Sequence, residues 1–148
     1  MLVDYLDRLQ ALHADMHRAL DGLSQDALDW SPGPDMNSLA VLAVHTVGAQ
    51  RYWIGDVAGR DPLGRDRAAE FRAGGLDATA LIARLDAALA HSRTMLEGLT
   101  LSELEALRPA SGYGREVTVA WALAHALAHT AVHVGHMQIV RQLWDQRQ

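Results

Sequence analysis

Apolar residues recur every three or four positions along four stretches of the chain, with polar residues between them. This spacing places the apolar side chains on one face of a helix. The pattern predicts helices at about 2–20, 38–59, 77–97 and 118–146. The inner face of the second is predicted to carry Leu42, His45, Thr46, Ala49, Trp53 and Val57, and that of the third Leu81, Leu85, Ala88, Leu89, Ser92 and Leu96.

Gly, Pro and short polar side chains mark the connections between these helices. Ser24 is predicted to cap one short turn, and Trp30 to anchor the Pro-rich segment that follows it. Residues 59–75 are predicted to form a long crossover whose charges are solvated. Residues 109–116 are predicted to form a flexible loop before the last helix. The expected fold is therefore all-α: one domain, 1–148, forming a four-helix bundle with one long crossover connection.

Composition narrows the possible functions. The formal net charge of −5 argues against nucleic-acid binding and against a polybasic membrane surface. The chain has no Cys, which excludes disulfides, thiolate nucleophiles and iron–sulfur clusters. It has no run of 18 apolar residues, and its start lacks the pattern of a secretory signal. We therefore expect a cytoplasmic protein without a membrane-spanning segment.

Four of the eight histidines lie within twelve residues of the last predicted helix, at His125, His129, His133 and His136. At about 100° per residue they share one helix face. His129 and His133 are one turn apart, so that both imidazoles can reach one ion. His45, centred on the inner face of the second helix, completes a set of three nitrogens. Three protein ligands with open coordination positions are typical of a catalytic metal site rather than a structural one.

The other histidines receive weaker predictions. His136 lies about 10 Å along the helix axis from His129, which suits a pocket or outer-shell role better than ligation of the same ion. His13 and His17 have charged neighbours and are predicted to lie on the surface, and His91 to be peripheral. Two alternatives stay open: hydrogen-bonded histidines without any metal, and a haem held by His45 and His129. The aromatic-poor and Arg-poor surroundings disfavour the haem.

Three segments resemble the DinB/YfiT-like metalloprotein superfamily, in the same order along the chain. They are Trp30-Ser-Pro-Gly-Pro, Asn37-Ser-Leu-Ala-Val-Leu-Ala-Val-His45 and His129-Thr-Ala-Val-His133-Val-Gly-His136. The resemblance implies a four-helix bundle, often a homodimer, with one divalent ion (zinc, nickel, iron or manganese) on His45, His129 and His133. Val134 and His136 stand where the family usually has Arg and Gln. These two departures bear on the substrate rather than on the fold.

The same resemblance implies a function. Members of the superfamily include transferases that use mycothiol or bacillithiol, and a maleylpyruvate isomerase whose type places a Glu in its ligand set. This chain has only imidazoles at the matching positions. We expect a metal-dependent enzyme, such as a low-molecular-weight-thiol S-transferase acting on small electrophiles or a hydrolase, with pocket candidates Tyr113, Arg115 and His136. The alternative is a non-catalytic, stress-associated dimeric bundle that binds metal.

Overall fold

A computed structural model describes residues 2–147, and their architecture is a helix bundle. The helices are α1 (Val3–Leu20), α2 (Gln25–Asp29), α3 (Leu39–Gln50), α4 (Arg67–Glu70), α5 (Ala78–Gly98) and α6 (Val119–Asp145). α3 continues without a break as a π-helical segment, Arg51–Ala58, and 3₁₀ turns occupy Leu101–Glu105 and Ser111–Tyr113. The helix α1 packs against α5 and α6, and α3 with its π-helical continuation packs against the same two helices. The prediction of an all-α bundle is confirmed.

Each of the described α-helices except α1 begins after a residue whose side-chain oxygen caps it. The side chains of Ser24, Ser38, Asp77 and Thr118 each accept a hydrogen bond from the backbone N–H three residues later. Such caps satisfy one of the donors that a helix start leaves free. The predicted cap at Ser24 and the predicted helix starts at about residues 38, 77 and 118 are therefore confirmed. Trp30 also packs as predicted, with its ring 5.5 Å from that of Trp144 near the end of α6.

α6 packs against several other elements. It contacts α1, α3 and the π-helical segment, and apolar residues on both of its flanks are buried. One part of the core surrounds Trp53 and the N-terminal half of α6, and another surrounds Leu39 and the C-terminal half. The histidine face of α6 lies between these two parts. No helix within residues 2–147 combines the length and apolarity needed to cross a membrane.

The long crossover is attached to the bundle by ion pairs. In the π-helical segment, a Cβ on Gly55 would overlap the guanidinium of Arg51, so the glycine leaves room for that side chain. Arg51 pairs with Asp56 at 3.4 Å and with Asp61 of the crossover at 2.9 Å. His91 of α5 contacts the same Asp61 carboxylate at 3.0 Å. These contacts hold the start of the crossover next to the π-helical segment and α5.

Residues 109–116 form most of a β-hairpin, so the prediction of a flexible loop there was wrong. Strands β1 (Leu107–Ala110) and β2 (Arg115–Thr118) pair antiparallel, with Leu107 opposite Thr118. Gly114 takes a left-handed conformation at the turn (φ 62°), which glycine adopts without a steric penalty. The hydroxyl of Tyr52 accepts a hydrogen bond from the backbone N–H of Gly112 at 3.1 Å. The hairpin is thereby fixed against the π-helical segment.

His13 is buried in the core, so the prediction of a surface position was wrong for this residue. Its Nε2 lies 2.8 Å from Oε1 of Gln50, whose amide nitrogen donates to the Ala88 carbonyl (3.3 Å) and to Ser92 (2.9 Å). Because a carbonyl can only accept, the amide orientation is fixed and His13 Nε2 must donate. This buried chain of hydrogen bonds joins α1, α3 and α5. His17 is half-exposed and pairs with Asp86.

Candidate metal centre

Three histidines from two helices converge at the middle of the bundle. His45 is buried on α3, while His129 and His133 are half-buried on α6. One ring nitrogen from each residue lies within 4.8 Å of the other two. The Nε2 atoms of His129 and His133 are 3.2 Å apart, and the ring of His45 meets each of theirs edge to face at about 5 Å between centroids. The structure thus brings together the three residues that were predicted to ligate a metal.

The donor set and its spacing fit a divalent transition-metal ion. Two nitrogens bound at about 2.0–2.1 Å in tetrahedral geometry stand about 3.4 Å apart, close to the His129–His133 separation. Imidazole nitrogen suits zinc, copper, iron and nickel alike. In residues 2–147, no fourth His, Asp or Glu offers an atom to the same group. The arrangement therefore leaves at least one coordination position free for a ligand that does not come from these residues.

The electrostatics of the cluster keep two of the rings neutral. Burial, followed by the neighbouring His133 and His45, lowers the pKa of His129 to about 3. Burial, followed by His45 and His136, lowers the pKa of His133 to about 4. Both imidazoles are uncharged at neutral pH, which metal ligation requires because a protonated ring has no lone pair to offer. The lowered pKa values thus leave a lone pair on each of these two imidazoles available to a metal ion.

The crossover contributes a residue that the sequence interpretation missed. Glu70, at the end of α4, is buried, and its Oε2 lies 2.9 Å from Nδ1 of His45. Arg65 donates to both of its carboxylate oxygens, at 2.6 Å and 2.8 Å. Although burial raises the pKa of Glu70, these hydrogen bonds from Arg65 and His45 hold it below its ordinary value. The prediction that the crossover charges are solvated was therefore wrong for Arg65 and Glu70.

One signal in the sequence pointed to this contact. Gly48 interrupts the second predicted helix one turn after His45, and a Cβ there would overlap the Glu70 carboxylate. A glycine inside a helix costs stability, so it commonly marks a close approach by another group. The ring of Phe71 completes the surroundings of His45, with 4.6 Å between the two ring centroids.

An aromatic layer adjoins the cluster on the N-terminal side of α6. The ring of His125 stacks on Trp121 at 4.9 Å between centroids and meets the buried ring of Trp53 edge to face at 4.7 Å. Its centroid is 6.0 Å from that of His129. His125 therefore packs beside the three histidines without joining them. The guanidinium of Arg115, one of the predicted pocket residues, lies 4.4 Å from the centre of the Trp121 ring.

The other two predicted pocket residues line two different cavities. Tyr113, at the hairpin turn, is half-exposed and lines a cavity of about 560 Å³ together with Tyr52, Arg65 and Arg67. His136 is exposed, with its Nδ1 3.4 Å from Nδ1 of His133, and lines a separate cavity of about 220 Å³. The larger cavity is lined by Arg65, which binds the Glu70 carboxylate that contacts His45, but by none of the three converging histidines.

Comparisons with known proteins agree with this architecture. A family model described as mycothiol-S-transferase matches residues 1–146. A conserved protein from Enterococcus faecalis has a similar structure, with 16% identity, a TM-score of 0.79 and 94% of each chain covered. A DinB-like protein from Bacillus cereus has 17% identity and a TM-score of 0.77, over 96% of this chain and 91% of that one. A DinB-like protein from Bacillus subtilis has 18% identity and a TM-score of 0.72, over 95% and 91%.

At identities this low, the structural similarity demonstrates a shared fold and nothing beyond it. The expected DinB-like fold is confirmed. No sequence among curated proteins matches this chain.

Proposed function

This chain belongs to the mycothiol-S-transferase family, and we propose that it is a divalent-metal-dependent transferase that joins the sulfur of a low-molecular-weight thiol to a small electrophile. The observation that carries the proposal is the convergence of His45, His129 and His133 with no fourth protein ligand among the described residues. A structural site is normally closed by four protein ligands, whereas a catalytic site keeps a position open. A thiol is an appropriate occupant of that position.

In this proposal the three imidazoles hold a zinc, nickel, iron or manganese ion. When bound, such an ion lowers the pKa of a thiol that approaches it. The chain has no Cys of its own, so the reacting sulfur must come from the cosubstrate. The thiol gives its proton to solvent, its sulfur forms a bond to carbon of the electrophile, and the leaving group departs from that carbon with the bonding electron pair. The buried ring of Trp53 packs against His125, next to His129 of the centre.

The cavity between the crossover and the hairpin is the proposed binding site for the substrates. It is large enough for a small organic molecule, at about 560 Å³. Its lining combines the aromatic faces of Tyr52 and Tyr113 with the guanidinium groups of Arg65 and Arg67. We assign Tyr113 to substrate contact there. Arg115, which packs on Trp121, and His136, which lines the separate smaller cavity, do not line this cavity, so their role as pocket groups stays a prediction.

A homodimer is also part of the proposal. The outer face of α6 exposes Val132, Ile139 and Leu143, spaced seven and four residues apart and therefore on one stripe of the helix. Exposed apolar side chains on one side of a helix favour burial against another surface. A second copy of α6 would cover them.

The test of the function has two stages. Untagged protein purified without chelator is first analysed for metal, with His45→Ala and His129→Ala as controls. We expect about one ion per chain in the wild type and loss of that ion in both variants. The metal-loaded protein is then assayed with mycothiol, bacillithiol and glutathione against chlorodinitrobenzene, from which the sulfur displaces chloride. Turnover with at least one thiol that is lost in His129→Ala supports the proposal. Bound metal without turnover, across several metals, would instead favour the non-catalytic metal-binding bundle.

A further inference from the structure

The Glu70 carboxylate contacts two side chains, those of Arg65 and His45. One oxygen accepts from Arg65 Nε at 2.6 Å, and the other accepts from Arg65 Nη2 at 2.8 Å and faces Nδ1 of His45 at 2.9 Å. The side chains of His45 and Glu70 are each only 7% exposed. A buried carboxylate without partners is strongly disfavoured. The two-point contact with Arg65 allows Glu70 to stay ionised beside the imidazole.

The direction of the hydrogen bond determines which nitrogen of His45 is free. An ionised carboxylate can only accept, so Nδ1 of His45 carries the proton and donates. Nε2 then has its lone pair exposed and points away from Glu70, on the opposite edge of the ring. Since Nδ1 is already engaged by Glu70, Nε2 is the atom that His45 can offer to the cluster.

The position of Gly48 shows how closely the Glu70 carboxylate approaches the α3 backbone. Gly48 lies three residues after His45 on α3, and any side chain there would overlap Glu70. Phe71, directly after Glu70, packs on the same imidazole. Two chain segments, the α3 backbone and the short α4 helix, thus hold His45 and Glu70 in one relative arrangement.

We propose that Glu70 is a positioning residue of the metal centre: it holds His45 in the tautomer that presents Nε2, and the two-point contact with Arg65 holds the carboxylate in place. The proposal rests on the metal-dependent function proposed above. Glu70 itself offers no atom to the group of three nitrogens, so it acts through His45. Outer partners of this kind orient a ligand ring and increase its basicity, and their loss commonly weakens metal affinity by about 10–100-fold.

Three variants test the inference. Glu70→Gln removes the charge with little change in volume. Gly48→Ala displaces the carboxylate while every ionisable group is retained. Glu105→Gln removes an exposed carboxylate from the 3₁₀ turn and is the matched control. Affinity for Zn²⁺ and Co²⁺ is measured by chelator competition, and the tautomer of His45 in metal-free protein by long-range ¹H–¹⁵N correlation NMR.

We expect Glu70→Gln and Gly48→Ala to bind both metals about 10–100-fold more weakly than the wild type, and Glu105→Gln to bind them equally well. We also expect the wild-type His45 to carry its proton on Nδ1 and the Glu70→Gln variant to lose this preference. Metal affinities within twofold of wild type in both site variants, with an unchanged tautomer, would overturn the positioning role.

If the wild type binds no metal, the proposed function is wrong, but the role of Glu70 can still be tested. The tautomer then decides whether Glu70 orients His45, because that measurement needs no ion. A His45 that carries its proton on Nδ1 equally in wild type and Glu70→Gln would show that Glu70 does not orient the ring.

Discussion

The Nε2 atoms of His129 and His133 lie 3.2 Å apart on successive turns of α6. In the metal-free protein one ring can donate its N–H to the lone pair of the other, so that the pair stays together without an ion. The separation is close to that of two nitrogens on one tetrahedral metal. Binding of a metal ion therefore requires little movement of these two side chains. The backbone of α6 positions two of the three proposed ligands.

Metal removal is expected to destabilise the protein. An ion that binds only the folded state stabilises it by about 2.7 kcal/mol when present at a hundred times its dissociation constant. For a chain of this size, that corresponds to a fall in Tm of about 5–10 °C when the ion is chelated. Differential scanning calorimetry with and without chelator measures it. His129→Ala should show no dependence on added metal, and an equal chelator effect in that variant would place the bound ion elsewhere.

Stability is expected to fall as the pH drops below about 6.5, with His13 as one cause. Burial, opposed by its hydrogen bond to Gln50, lowers the pKa of His13. Its Nδ1 is buried without a hydrogen-bond partner among the described residues. The unfolded chain therefore binds a proton there at a pH where the folded chain does not. Each such group contributes up to about 1.4 kcal/mol per pH unit of lost stability, between its unfolded and folded pKa values.

Urea unfolding of metal-free protein between pH 7.5 and 5 measures this dependence. His13→Gln removes one titrating group and should flatten the pH profile, even if the variant is less stable at pH 7.5. His17→Gln is the control, since the imidazole of His17 is half-exposed and paired with Asp86. A pH profile in His13→Gln as steep as that of the wild type would show that the other histidines account for the whole effect.

Local patterns predicted the helices and the three converging histidines, because helical period and capping oxygens act over a few residues. His45 and His129 belong to such periodic faces. Glu70 does not, because the crossover has no period and its carboxylate meets an imidazole 25 residues away in the chain. The prediction for His13 was wrong for a different reason. His13 lies on the buried stripe of α1 between Leu9 and Met16, but its charged neighbours in the sequence suggested a surface position. Position on the stripe was the stronger signal.

Tyr113→Phe tests the substrate cavity without removing an aromatic ring. If the Tyr113 hydroxyl donates one hydrogen bond to the thiol cosubstrate, its loss costs about 0.5–1.5 kcal/mol, or a rise in KM of about 2–10-fold, with kcat little changed. Steady-state kinetics with varied thiol concentration measure this. Tyr5→Phe is the matched control, because the Tyr5 hydroxyl donates to the Leu123 carbonyl at 2.9 Å. That control should lower stability and leave KM unchanged, whereas equal KM values in all three proteins would contradict the assignment.

Ile139→Glu is expected to dissociate the proposed dimer. Ile139 is 52% exposed at the centre of the α6 stripe, so a carboxylate there costs the isolated chain little but would be buried without a partner between two copies. Light scattering coupled to size exclusion should give twice the chain mass of 16.1 kDa for the wild type and the single mass for the variant. Ala87→Glu adds the same charge at an exposed position on α5 and should stay dimeric. A wild type with the single mass at about 100 µM, a concentration at which even micromolar affinity gives a dimer, would exclude this interface.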